Sequence, residues 1–179
     1  MKIQSKLWCL TLVLVSSISM AQQVVHAEKS YSKEVQKLSK RSMITKAFDR
    51  IKALEEETLR HHIELTEIAA PPFMEQQRAV SFADRLQQVG VDSIWTDAVG
   101  NVMGLIRGSK GAKTVALNAH LDTVFPEGTD VSVRVSNDTL YAPGIGDDTR
   151  GLAILITVAE VINELEIKPK SGVLLVASV

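Results

Sequence analysis

Residues 114–153 read TVALNAHLDTVFPEGTDVSVRVSNDTLYAPGIGDDTRGLA, and the order of events in this stretch decides the fold. It opens with the apolar run TVALN, which empties into Asn118-Ala119-His120-Leu121-Asp122-Thr123. It closes with Gly144 and Gly146, the paired acids Asp147-Asp148, and the start of an apolar helical pattern running from Gly151 to Leu165. Chemistry-bearing side chains thus sit where a strand ends and where a helix begins. In open α/β sheets those are the places where ligand sites collect.

In extended backbone, residues two apart project to the same side, so His120 and Asp122 can face one another or a common site. A carboxylate that accepts a hydrogen bond from one imidazole nitrogen fixes the tautomer and raises the basicity of the other, as behind a metal-bound histidine. The same pair also serves as a purely structural contact at a strand end. In the second cluster, an acid at a helix start caps exposed N–H groups and suits the positive dipole end, which accounts for Asp148 as a cap. A cap requires one acid, and two adjacent acids repel unless a cation or donors lie between them. A hard divalent ion bridged by a carboxylate relieves that repulsion.

Outward from this core, the pattern alternates between periods. Residues 31–69 are charged, lack Gly and Pro, and carry apolar residues at mostly helical spacing, which predicts one long helix or two ended by Pro71-Pro72. Glu75 to Gln88 predicts an amphipathic helix with Val80, Phe82, Ala83 and Leu86 inward, stopped at Gly90. Short strands are expected at 93–95, 102–106, 114–118, 131–135 and 139–141, the last two forming a hairpin that turns at Ser136-Asn137-Asp138. Gly108-Ser109-Lys110-Gly111 reads as a hairpin turn, and Gly172 to Val179 as a strand buried on both faces. The fold class is α/β. His61-His62 with Glu64 and Glu67 reads as a solvated charged helix face rather than a metal patch, since HExxH is missing.

The chain has 179 residues, 45% hydrophobic and 23% charged, within the range of soluble globular domains and far from disordered composition. Its formal net charge of -1 argues against nucleic acid as a partner. One cysteine excludes an intramolecular disulfide framework and a CxxC zinc site, so a metal would need His and carboxylate ligands. Residues 1–27 combine Lys2 and Lys6, an apolar stretch from Leu7 to Val15 and small residues before Gln22 and Glu28. This is the pattern of a secretory signal peptide with cleavage after Ala21 or Ala27, too short to be a stable membrane anchor. The protein is therefore expected to be exported, to the periplasm or the medium, with residues 28–58 as a helical segment ahead of a domain portion at 59–179. No GxSxG elbow is present, and the cysteine lies within the leader.

HLDTVFP followed by YAPGIGDDTRGLA resembles the zinc metallopeptidase M20 family of carboxypeptidases, di- and tripeptidases and aminoacylases. The upstream segments LTEIAAPPFMEQQRAVSFADRLQQVG and DAVGNVMGLIRG are similar to the family's opening helices and first hairpin. The resemblance implies a three-layer α/β/α sandwich of the zinc-peptidase type, two Zn2+ (with Co2+ or Mn2+ as substitutes), and cleavage of amide bonds in short peptides or N-acyl amino acids. It implies His120 as ligand of one zinc, Asp147 as the aspartate bridging both, and Asp122 as the acid that orients the metal-bound histidine. It also implies a cis peptide between Asp147 and Asp148.

One departure stands out: many members carry Lys after the paired acids, and this chain has Thr149-Arg150-Gly151. The family's Glu-Glu pair, its further ligands and the lid domain through which many members form homodimers are not found in these residues. With the sequence stopping inside LLVASV, the expectation is an N-terminal portion of a longer enzyme, inactive alone. The competing expectation is a non-catalytic peptide-binding relative or an inactive remnant.

Overall fold

The computed structural model describes residues 28–111 and 113–179. The signal-peptide assignment falls on residues outside these. Helix α1 (Lys29–Ser39) carries Tyr31, Val35 and Leu38 as exposed apolar side chains and belongs to a first unit ending at Leu38.

The second unit, Ser39–Val179, contains helices α2 (Ser42–Ala53), α3 (Glu55–Thr66), α4 (Gln76–Gln88) and α5 (Thr149–Glu164). Its strands are β1 (Ser93–Thr96), β2 (Val102–Ile106), β3 (Thr114–His120), β4 (Arg134–Ser136), β5 (Thr139–Tyr141) and β6 (Gly172–Ser178). The segment expected as one or two helices is therefore three, broken at Lys40 and Leu54. Neither break needs proline: the end of α2 turns over Leu54, which is buried and whose N–H still reaches the Arg50 carbonyl at 3.0 Å.

The main sheet has the order β1-β2-β6-β3. β1 and β2 form the expected hairpin, closed by Asp97, whose carboxylate accepts from the N–H groups of Val99, Gly100 and Asn101 at 3.0 Å each. β6 then runs antiparallel to β2 and parallel to β3, with Leu175 opposite both Gly104 and Leu117. This corrects the reading of Gly108–Gly111 as a hairpin turn. β2 and β3 are not paired, because β6, arriving some sixty residues later, lies between them. β4 and β5 form a separate ribbon, turning through Asn137 at φ 51°.

The alternation of β2 puts Val102, Gly104 and Ile106 on one face, where they meet Leu175 and Ala177 of β6 and the helices α4 and α5. Phe82, Leu86, Leu152, Ile156 and Ala159 fill this interface. Phe82 and Leu86 face the core as expected, but Val80 is 61% exposed. The inward stripe of α4 instead runs Arg78, Ala79, Phe82, Leu86. α4 ends in a Schellman motif: Gly90 at φ 78° donates to the Gln87 carbonyl at 3.0 Å and Val91 to that of Leu86 at 3.1 Å. α5 ends the same way with Glu166 in the left-handed position, its N–H on Asn163 and that of Ile167 on Ile162.

α3 packs against α5, and this overturns the solvated-face reading of His61-His62. Both are buried. His61 accepts at Nδ1 from Arg85 Nε (3.1 Å), and His62 reaches the loop before α5. A charged sequence around them hides the burial, because Glu57, Arg60 and Glu64 pair with one another or with Arg85 around the buried imidazoles.

Candidate metal centre

β3 delivers His120 at its carboxyl end, and the chain turns at once. Leu121 N–H still donates to the Ser178 carbonyl of β6 (2.7 Å), while Thr123 N–H donates to Ala70 (2.8 Å), in the segment after α3. On the neighbouring element, the carboxylate of Asp148 caps α5, accepting from Gly151 N–H at 3.0 Å. Its other oxygen accepts from the backbone N–H of His120 at 3.2 Å, so the cap also ties α5 to the end of β3. The Asp147-Asp148 peptide bond is cis, as the motif resemblance implied.

Three sequence-predicted residues converge here. His120 Nε2 lies 2.8 Å from Asp147 Oδ1. On the opposite side of the ring, Nδ1 donates to the Asp122 carbonyl at 2.9 Å and lies 3.2 Å from the Asp122 carboxylate. Burial alone would lower the His120 pKa, but the Asp147 hydrogen bond, the Asp122 carbonyl and the charges of Asp122 and Asp148 outweigh it and raise it. The ring thus sits in a field arranged for a cation.

Two glycines bring the loops together. Gly144 has φ 75°, and a Cβ there would meet the Thr123 methyl at 2.7 Å, so only glycine lets the two loops touch. A Cβ on Gly151 would strike the Asp148 carboxylate. Gly146 faces open space and has no such constraint.

Four supporting residues were given no role by the sequence. His62 Nε2 donates to the Ile145 carbonyl, Thr66 and Thr149 share a hydroxyl hydrogen bond of 2.7 Å, and Thr149 lies 3.1 Å from the Gly144 carbonyl. These contacts hold the Asp147 loop on α3. Arg78 does the same for the His120 loop, with Nη1 on the Leu121 carbonyl at 2.6 Å. Arg78 had one available signal: a lone cation four residues before Phe82, on the apolar stripe of α4.

An imidazole and a carboxylate suit zinc and similar divalent ions. Bonds of about 2.0–2.2 Å at a tetrahedral angle separate two donors by roughly 3.3 Å, so the pair at 2.8 Å needs to open by only about half an ångström. The Asp147 side chain is 91% exposed, leaving its second oxygen open to another partner. Among the described residues no group of three or more His, Cys, Asp or Glu could hold a metal, and His120 and Asp147 are two donors.

Residues 101–178 match the model of peptidase family M28. A 70-residue segment is 34% identical to carboxypeptidase G2 of Pseudomonas sp. (strain RS-16), covering 38% of this chain and 17% of that protein. The dipeptidase Dug1p of Saccharomyces cerevisiae superposes with a TM-score of 0.64 at 16% identity, over 76% of this chain and 34% of its own. The chain shares its fold with this peptidase. A Bacillus subtilis protein described as a dinuclear metal-binding peptidase of the M20 family also superposes, with a TM-score of 0.53 at 16% identity, over 70% of this chain and 35% of its own. The chain thus spans about a third of the length of these solved structures. The M28 match and the M20-family structure agree on a peptidase fold.

Proposed function

We propose that this chain is the N-terminal part of an exported, M20-type zinc hydrolase that cleaves amide bonds of short peptides or N-acyl amino acids. The observation that carries the reading is the meeting of His120 Nε2 and Asp147 Oδ1 at 2.8 Å, from motifs 27 residues apart, with Asp122 on the other imidazole nitrogen. His120 and Asp147 would hold the metal, and in a two-metal site Asp147 would bridge. When bound, such ions supply Lewis acidity for the scissile carbonyl and acidify water at neutral pH. The chain's own contribution is orientation: Asp122 fixes the His120 ring and its tautomer, and Asp148 fixes the backbone beneath it. Export rests on the leader pattern of residues 1–27, and the peptide substrate class on the motif likeness.

The 179-residue chain alone is expected to be inactive, since a catalytic zinc normally has about three protein ligands plus water. Assays of dipeptides and N-acyl amino acids with Zn2+, Co2+ or Mn2+, on the whole protein carrying this segment, test the reading. Turnover lost on chelation and in His120→Ala supports it; turnover indifferent to both contradicts it.

A second reading, a non-catalytic peptide-binding relative, draws on the absence of a three-donor group among the described residues. It predicts saturable dipeptide binding with no hydrolysis under any metal.

A further inference from the structure

Arg78 is fully buried, yet among the described residues no carboxylate lies in salt-bridge contact with it. A charge withdrawn from water in this way is costly unless hydrogen bonds compensate. Here backbone carbonyls do so: Nε and Nη2 donate to Ile68, Nη2 also approaches Thr66 at 3.5 Å, and Nη1 donates to Leu121 at 2.6 Å. Burial lowers its pKa to about 10, against the opposing pull of Asp122, so it stays charged at neutral pH.

These carbonyls belong to two separate segments. Thr66 and Ile68 lie where α3 ends and leaves carbonyls without helical partners. Leu121 stands between His120 and Asp122. Its carbonyl belongs to the peptide that leads into Asp122, whose own carbonyl accepts from His120 Nδ1. Two residues on, Thr123 N–H returns to Ala70, closing a second link between the same segments.

We infer that Arg78 is a positioning residue: its guanidinium fork fixes the His120-Leu121-Asp122 corner against the exit of α3, and so sets the ring orientation that His120 offers to a divalent metal. A lysine keeps the charge but not the planar fork, which must reach carbonyls of two segments at once. The metal clause rests on the proposed function; the positioning clause does not.

The test uses Arg78→Lys and Arg78→Met in the whole protein carrying this segment, with Leu86→Ala as a destabilised control on the same helix. Amide exchange is read at Thr123 and along β6, with Zn2+ affinity measured by calorimetry and unfolding midpoints recorded alongside. Expected is at least a tenfold faster exchange at Thr123 in the Arg78 variants while β6 amides change little, with at least a tenfold weaker Zn2+ affinity. Leu86→Ala should speed both sets of amides alike and move Zn2+ affinity less than threefold.

Uniform acceleration in the Arg78 variants, or an unchanged Thr123 amide, overturns the inference. Unchanged Zn2+ affinity beside the expected exchange pattern overturns its metal clause. No Zn2+ binding by the unmutated whole protein, with that exchange pattern intact, leaves Arg78 as the clamp of this corner and refutes the metallopeptidase reading instead. Should neither variant fold, the Arg78 guanidinium N–H signals of the unmutated protein decide: separate, protected signals support the clamp, and one averaged, fast-exchanging signal overturns it.

Discussion

His120 meets an oxygen on each ring nitrogen, and the two oxygens have different work. Asp147 faces Nε2, where a metal would bind, and Asp122 faces Nδ1, where it can only orient. His120→Ala and Asp147→Ala should therefore abolish Zn2+ binding measured by calorimetry. Asp122→Asn should retain binding with affinity lowered about 10–100-fold, as for other partners behind a ligand. Equal retention in all three would refute these roles.

His62 makes a separate prediction. With Nε2 donating to Ile145, Nδ1 is buried without a partner among the described residues, and burial holds the pKa below its ordinary value of 6.5. The unfolded chain then binds more protons than the folded one as pH falls below about 6.5, so stability is full above that pH and declines through the window down to the folded pKa. His61, also lowered by burial and by Arg60 and Arg85, acts in the same direction. Urea midpoints of the wild type should fall between pH 7 and 5, and the fall should be smaller in His62→Gln. An identical pH dependence in that variant would remove His62 from the account.

The residues with motif chemistry, His120, Asp122 and Asp147, could be read from their order along the chain. His62, Thr66 and Thr149 could not, because hydrogen bonds spanning 83 residues leave no local period.

Among the elements, those with a strong local period were read closely. β2 has the expected bounds, and α5 starts two residues before the expected Gly151, where Asp148 caps it. What failed was non-local. The Gly108–Gly111 turn looked like a hairpin because sequence neighbours usually pair, and insertion of β6 between β2 and β3 is invisible until the whole sheet is assembled. The three-way division of residues 29–66 was missed for a related reason: Leu54 breaks the helix by packing inward, without a Gly or Pro signal.

The sheet predicts an asymmetry between strands. Leu175 on central β6 is fully buried, so Leu175→Ala should cost about 2–5 kcal/mol in urea denaturation. Val115 on β3 is 54% exposed, and Val115→Ala should stay within about 0.5 kcal/mol. Comparable losses at both positions would contradict the strand order.

At the scale of the molecule, the second unit places the carboxyl end of β3 beside the amino end of α5. One loop is clamped by Arg78 and the other by His62 and Thr149, both against α3. α3 thus serves as a common base for two loops that carry opposite halves of the candidate site. The Gly144–Thr123 contact sets their spacing, so Gly144→Ala should weaken Zn2+ binding as well as stability, the latter by about 1–2 kcal/mol given its positive φ and the 2.7 Å approach. Calorimetric Zn2+ affinity unchanged beside a lowered urea midpoint would show that the spacing does not matter to the metal.

The most direct measurement of the central claim is the imidazole 15N spectrum of His120 during a Zn2+ titration of the whole protein carrying this segment, repeated in Asp147→Ala. The account predicts a saturable shift at Nε2, with Nδ1 remaining protonated toward Asp122, and loss of that response in the variant. A His120 ring indifferent to Zn2+, or a response that survives Asp147→Ala unchanged, would contradict it.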